Sequence, residues 1–153
     1  MATPALPNGL LKPFDPRVTH SSVRHAGLEA AQPCDLGQLA QLPRAHLFAD
    51  LDIAPELLVR TDHSAVASGY HRNQARMREV ILAFGGPLSG ARGLVAANRA
   101  NYLVACKGSA DLAIFANMGE GNLADLIYAD QPPEWLVEDK RFSSGSLRVY
   151  QVR

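Results

Sequence analysis

The run Tyr102-Leu103-Val104-Ala105-Cys106 narrows the folds open to this chain more than any other segment. It is unbroken apolar sequence of strand length, and it reads as a buried strand. Two shorter runs share the character: His46-Leu47-Phe48-Ala49, ending at Asp50, and Ser64 to Ser68. Segments of helical spacing separate them. Pro55 suits the first turn of a short helix carrying Leu57 and Leu58. Met77, Val80, Ile81 and Phe84 fall at the 3–4 spacing of one buried helix face, closed by Gly85-Gly86-Pro87. Ser89 is a candidate cap for another helix, with Ala91, Leu94, Val95 and Asn98 on one side. Leu112 to Phe115 reads as a further short strand, and Leu123, Leu126 and Ile127 mark a helix ended by Gln131-Pro132-Pro133. In the tail, Leu147, Val149 and Tyr150-Gln151-Val152 read as a strand. It pairs antiparallel with Leu136 to Phe142 across Ser143-Ser144-Gly145. Strands alternating with helices predict an α/β fold: a mainly parallel sheet flanked by helices, with a C-terminal antiparallel β-hairpin that makes the sheet mixed.

A chain of 153 residues suits one domain with a full core. Residues 1–32 carry Pro4, Pro7, Pro13 and Pro16, with Pro33 at the boundary, and lack periodic apolar positions. They read as a Pro-rich linker or flexible arm ahead of a single α/β domain over 33–153. His20 and His25, inside that arm, read as solvated rather than as metal ligands. From Cys34 onward the pattern tightens: Asp35 is an N-cap, and Leu36, Leu39 and Ala40 form a short helix face stopped by Pro43. Fifteen basic residues balance fifteen acidic ones, so no electrostatic pull toward nucleic acid or an anionic membrane surface is expected. No apolar run approaches the roughly 18 residues of a membrane span, and Met1 to Pro7 has no signal-peptide pattern.

Open α/β sheets bind ligands at the C-terminal ends of their strands. That rule collects Asp50 and Asp52 after the first strand, Tyr70, His71, Arg72 and Asn73 after the second, and Lys107 after Tyr102 to Cys106. Free amides at the start of the helix after Tyr70 would favour an anion, which Arg72 can grip through paired hydrogen bonds. Asp50 or Asp52 with His71 can form an acid–base pair. The same residues admit a structural reading, with Asn73 capping the helix, Tyr70 and His71 satisfying buried backbone groups, and Arg72 paired with Asp50. Catalysis has the least support, because the chain lacks both Gly-x-Ser-x-Gly and a phosphate loop of the Lys-Ser/Thr type. Gly119-Glu120-Gly121-Asn122 reads as a turn plus helix cap, and Asp62-His63 as a turn rather than a metal pair. No cofactor and no metal are expected.

Cys34 and Cys106 are spaced like no metal or redox motif. Two buried free thiols and one long-range disulfide, the latter requiring an oxidising compartment, both remain open.

The order of short motifs carries a resemblance. An apolar strand and acidic turn precede Leu57-Leu58 and Thr61-Asp62-His63-Ser64-Ala65-Val66-Ala67. Tyr70-His71-Arg72-Asn73, the strand Asn101-Tyr102-Leu103-Val104-Ala105-Cys106 and the closing Leu147-Arg148-Val149-Tyr150-Gln151-Val152 follow. Over about residues 33–153 the chain resembles the C-terminal soluble, extracytoplasmic domain of multi-spanning bacterial membrane proteins. These are similar to the C-type-fold glycosyltransferases, the superfamily that includes oligosaccharyltransferases. The resemblance implies a fragment of a larger membrane protein on the periplasmic or extracytoplasmic face of the inner membrane, and hence a bonded Cys34–Cys106 pair. The acceptor-reading Trp-Trp-Asp-Tyr-Gly motif of the oligosaccharyltransferases does not carry over. Phe48-Ala49-Asp50-Leu51-Asp52 stands in its place, and the only tryptophan is Trp135. The superfamily's catalytic carboxylates lie in the membrane part, so the domain alone is not expected to be a transferase, whereas its parent is.

The leading expectation is therefore a non-catalytic domain whose partner is the membrane-embedded part of its own polypeptide, with a small anionic or glycan ligand. The competing expectation is a free-standing, cytoplasmic α/β enzyme or binding module using Asp50, His71 and Arg72.

Overall fold

The computed structural model describes residues 33–69 and 71–153; the arm expected over 1–32, with His20 and His25, and the side chains of Tyr70 and His71 lie outside what it describes. The strands are β1 (His46–Ala49), β2 (Ser64–Ala65), β3 (Tyr102–Cys106), β4 (Leu136–Glu138) and β5 (Leu147–Val152). They form one five-stranded sheet in the order β2-β1-β3-β5-β4. β1 runs parallel to both β2 and β3, while β5 is antiparallel to β3 and to β4. This is the mixed sheet with a terminal hairpin that the alternation of strand and helix patterns predicts.

Apolar side chains on both faces of each inner strand explain why the sheet is covered twice. Phe48, Leu103, Ala105 and Tyr150 point into one core, under α2 (Gln74–Gly85), α3 (Leu88–Ala97), α4 (Ala110–Asn117) and α5 (Leu123–Tyr128). Leu47, Ala49, Val104, Cys106, Leu147 and Val149 point into the other, under α1 (Ala54–Arg60) and the 3-10 turn Gly37–Gln41. Fully burying one large aliphatic side chain stabilises the fold by about 1.5–3 kcal/mol, so neither face can be left to water. Phe48, Phe84 and Phe115 form a chain of ring contacts across the first core.

Several local expectations are corrected. Leu112 to Phe115 is not a strand but the middle of α4. Ser109 caps that helix by accepting from Leu112 N at 3.1 Å. Leu112, Phe115 and Ala116 are buried while Ile114 is exposed, which is helical rather than alternating burial. Gly37–Gln41 form a 3-10 turn instead of an α-helix, with Asp35 accepting from Gly37 N at 2.8 Å and Ala40 exposed. The helix expected to start at Ser89 starts at Leu88, after Pro87. The first hairpin strand stops at Glu138, because Asp139 accepts from Arg141 N and turns the chain.

The correction that matters for function is at β2. The strand expected over Ser64 to Ser68 pairs only at Ser64 and Ala65. Val66 still donates to Leu47 O at 3.0 Å, but Val66 and Ala67 then bury themselves in the helical core instead of continuing along β1. The chain returns to the edge of the sheet where the parallel strands begin. There Arg76, in the first turn of α2, bonds Asn98 at the end of α3, just ahead of β3.

Candidate functional site

At the C-terminal edge of the parallel strands, Asp50, Asp52 and Lys107 are each bonded to another part of the chain. Asp50, the residue after β1, is fully buried. One carboxylate oxygen accepts from Ile53 N at 3.3 Å and the other from Cys106 N at 3.0 Å, so this side chain ties the first βα turn to the end of β3. Burial pushes its pKa up to about 7, and the neighbouring charges of Asp52 and Asp111 push in the same direction, against the pull of the two amide bonds. Asp52 accepts from Asp111 N at 3.0 Å. Burial, followed by the proximity of Asp52, holds the Asp111 carboxyl above the ordinary range. Lys107 bonds Asp130 at 2.6 Å, and Arg148 reaches the same carboxylate at 3.1 Å. The Lys107 carbonyl accepts from the Tyr128 hydroxyl at 2.7 Å. Cys34 and Cys106 are joined by a disulfide, with 6.0 Å between the Cα atoms. A cavity of about 280 Å³ beside it is walled by the bridge, Asp52 and Glu56, and among the described residues its charged lining groups are acidic. An anion would be repelled there.

The other half of the expected cluster lies elsewhere. Asn73 lines a cavity of about 420 Å³ with His46, Arg76, Asn98 and Arg99, at the edge where β1 and β3 begin. Arg72 is exposed in the same 3-10 turn as Asn73. The structure therefore brings Asp50, Asp52 and Lys107 to one edge and places Asn73 at the opposite one. The expected meeting of Arg72 and Asn73 with the aspartates is overturned, because β2 is too short to deliver the following helix to the C-terminal edge. Asp50 is satisfied by two backbone amides rather than by Arg72. Asn73 occupies the N-cap position of α2 without forming the side-chain cap bond.

At this second edge His46 Nδ1 and Ser64 Oγ are 2.8 Å apart. Arg76 Nη1 donates to Glu79 at 2.9 Å and to Asn98 Oδ1 at 2.8 Å. Asn98 Nδ2 donates to Glu79 at 2.6 Å and to Leu94 O at 2.8 Å. The Asn98 bond, then the Arg76 bond, hold the Glu79 carboxyl below its usual range. Arg99 adopts φ 53°, and its amide bonds Ala96 O at 2.9 Å. His46, Arg76 and Arg99 are absent from the residues that sequence patterns singled out as a site. The available signal was the run Asn98-Arg99, standing where a helix end normally has glycine. Elsewhere, both ring nitrogens of His63 engage backbone, at Leu39 O (2.6 Å) and Ala45 N (3.2 Å), which fits the turn reading of Asp62-His63. Asn122 caps α5 through Asp125 N at 2.9 Å.

No protein-family model matches this chain, and no curated protein matches it in sequence. Among solved structures it is similar to the C-terminal globular domain of oligosaccharyltransferase from Archaeoglobus fulgidus, with a TM-score of 0.50 and 14% identity. The similarity spans 84% of this chain and 95% of that one. The class defined by the sheet and its covering helices is thus an α/β domain with the fold of an oligosaccharyltransferase C-terminal globular domain. Among the described residues, no helix is long and apolar enough to cross a membrane.

Proposed function

We propose that the chain is a non-catalytic, extracytoplasmic domain of a larger, multi-spanning bacterial membrane protein. In that protein it helps a membrane-embedded, glycosyltransferase-like part to bind or position substrate. The observation that carries the reading is the fold likeness to an oligosaccharyltransferase C-terminal domain over 84% of this chain and 95% of that one. The disulfide agrees with it, since such bonds persist in oxidising compartments outside the cytosol. The state of Asp50 agrees as well: this carboxyl is engaged by backbone amides and has no access to solvent.

The test is a pair of reporter fusions placed after Arg153 in the complete gene product. Alkaline phosphatase is expected to be active and a green fluorescent protein dark, as for an extracytoplasmic terminus. A bright fluorescent fusion with an inactive phosphatase overturns the reading. Deleting 33–153 from the same protein should raise KM for substrate more than it lowers kcat; unchanged kinetics would remove the assisting role.

A further inference from the structure

The edge where the parallel strands begin carries features that the fold does not require. Its 420 Å³ cavity is in the size range of small-molecule sites, about 300–1,000 Å³. Arg76, Arg99 and His46 are among the residues that line it. Arg76 uses only Nη1 in its bonds to Glu79 and Asn98, which leaves Nε and Nη2 to donate. The Arg99 side chain forms no hydrogen bond or ion pair with the described residues. His46 is held through Nδ1, so Nε2 remains for a ligand. Asn73 sits at the start of α2 without capping it, and its side chain is likewise uncommitted.

Two further facts decide the sign of the ligand. Of the carbonyls at the end of α3, which would repel an anion, Leu94 O accepts from the Asn98 backbone and side chain, and Ala96 O accepts from Arg99 N. The nearest carboxylate, Glu79, is turned to Asn98 and Arg76. Arg99 also adopts a left-handed backbone conformation that favours glycine. Backbone conformations of this kind at non-glycine residues cluster at functional sites.

We propose that this cavity binds the phosphate group of a small phosphate ester, gripped by Arg76 and Arg99, with His46 and Asn73 donating to the remaining oxygens. Forked guanidinium donors match a tetrahedral oxyanion through paired, charge-assisted hydrogen bonds. The room beyond the phosphate, against Val66, takes the organic part of the ester. The proposal does not depend on the parent being a membrane protein.

The test is calorimetric titration of the full 153-residue chain with inorganic phosphate, at constant ionic strength in chloride buffer. Saturable one-site binding is expected. Arg99→Gly relieves the left-handed backbone, so it should keep or raise the melting temperature while weakening phosphate about tenfold or more. Arg76→Gln should weaken it similarly. Glycerol phosphate and phosphatidylglycerol vesicles, titrated in parallel, assign the source: competition by either supports the site and tells a soluble ester from a lipid headgroup. Absence of phosphate binding, or equal binding by wild type and a folded Arg99→Gly, overturns the proposal.

Discussion

The two edges of the parallel strands differ in how their polar groups are used. At the C-terminal edge, Asp50, Asp52 and Lys107 each close a bond to another part of the chain, and a disulfide locks the same corner. At the N-terminal edge, two arginines, a histidine and an asparagine surround open volume with donors to spare. The tendency of α/β sheets to bind ligands at C-terminal strand ends depends on those ends leaving backbone and side-chain groups unpaired. Here the groups at that end are engaged in joining loops, and the uncommitted donors are at the other end.

The comparison breaks first at the disulfide if it breaks at all. Cys34→Ser with Cys106→Ser opens a loop with a sequence separation of 72, and chain entropy assigns that closure about 4 kcal/mol. Scanning calorimetry should show the melting temperature falling by on the order of 10–15 °C. A shift of a degree or two would mean the C-terminal edge is not the rigid one.

Asp50 is next. Asp50→Ala leaves the Ile53 and Cys106 amides unpaired in the core, at a cost of about 2–4 kcal/mol in denaturant unfolding. The wild-type group also fixes a pH dependence. Its folded pKa, about 7, lies above the ordinary 3.8. The folded state therefore holds the proton more tightly, and the resulting stabilisation is complete below about pH 4 and lost as pH rises to about 7. Asp139 works in the opposite direction. Bonds from Arg141, chiefly, hold its pKa down to about 2, so its contribution is present above 3.8 and lost as pH falls toward 2. Unfolding free energies measured from pH 2 to 8 should show both flanks, and the decline between pH 4 and 7 should be much shallower in Asp50→Ala, with Asp111 supplying what is left.

The smallest effect belongs to the open edge. Losing a working N-cap side chain costs about 1 kcal/mol, but Asn73 forms no cap bond. Asn73→Ala should move stability by under about 0.5 kcal/mol, as an uncommitted surface residue does. A full cap-sized loss would show that this edge is structurally committed too.

Much of the fold is legible in the sequence because period 2 and period 3.6 leave different apolar spacings. Leu47, Phe48 and Ala49, or Leu103, Val104 and Ala105, are buried on consecutive positions because the sheet is covered on both faces. Leu112 to Phe115 misleads because four consecutive apolar residues fit either period; Ser109, the cap three positions ahead, was the deciding residue. The candidate site was half legible. Asp50 and Lys107 fall where a strand-end rule places them, but nothing in the residue types says that Asp50 bonds only backbone. Arg72 and Asn73 reach that edge only if β2 runs its full expected length. Where a strand stops depends on tertiary burial of Val66 and Ala67, which local pattern does not record.

The disulfide has a mechanical consequence. Cys34 lies one residue into the described chain and is bolted to Cys106, the last residue of the middle strand, β3. A pull arriving from before Pro33 is therefore not taken up by Leu36, Leu39 and Leu42, whose turn is held by apolar contacts on that core face and one bond between the His63 ring and Leu39 O. The load passes through sulfur into a strand hydrogen-bonded on both sides, by β1 and β5. Such a strand yields only by shearing many bonds together, whereas an unbolted turn would peel away one contact at a time. The bridge converts the start of the domain from a loose end into a handle.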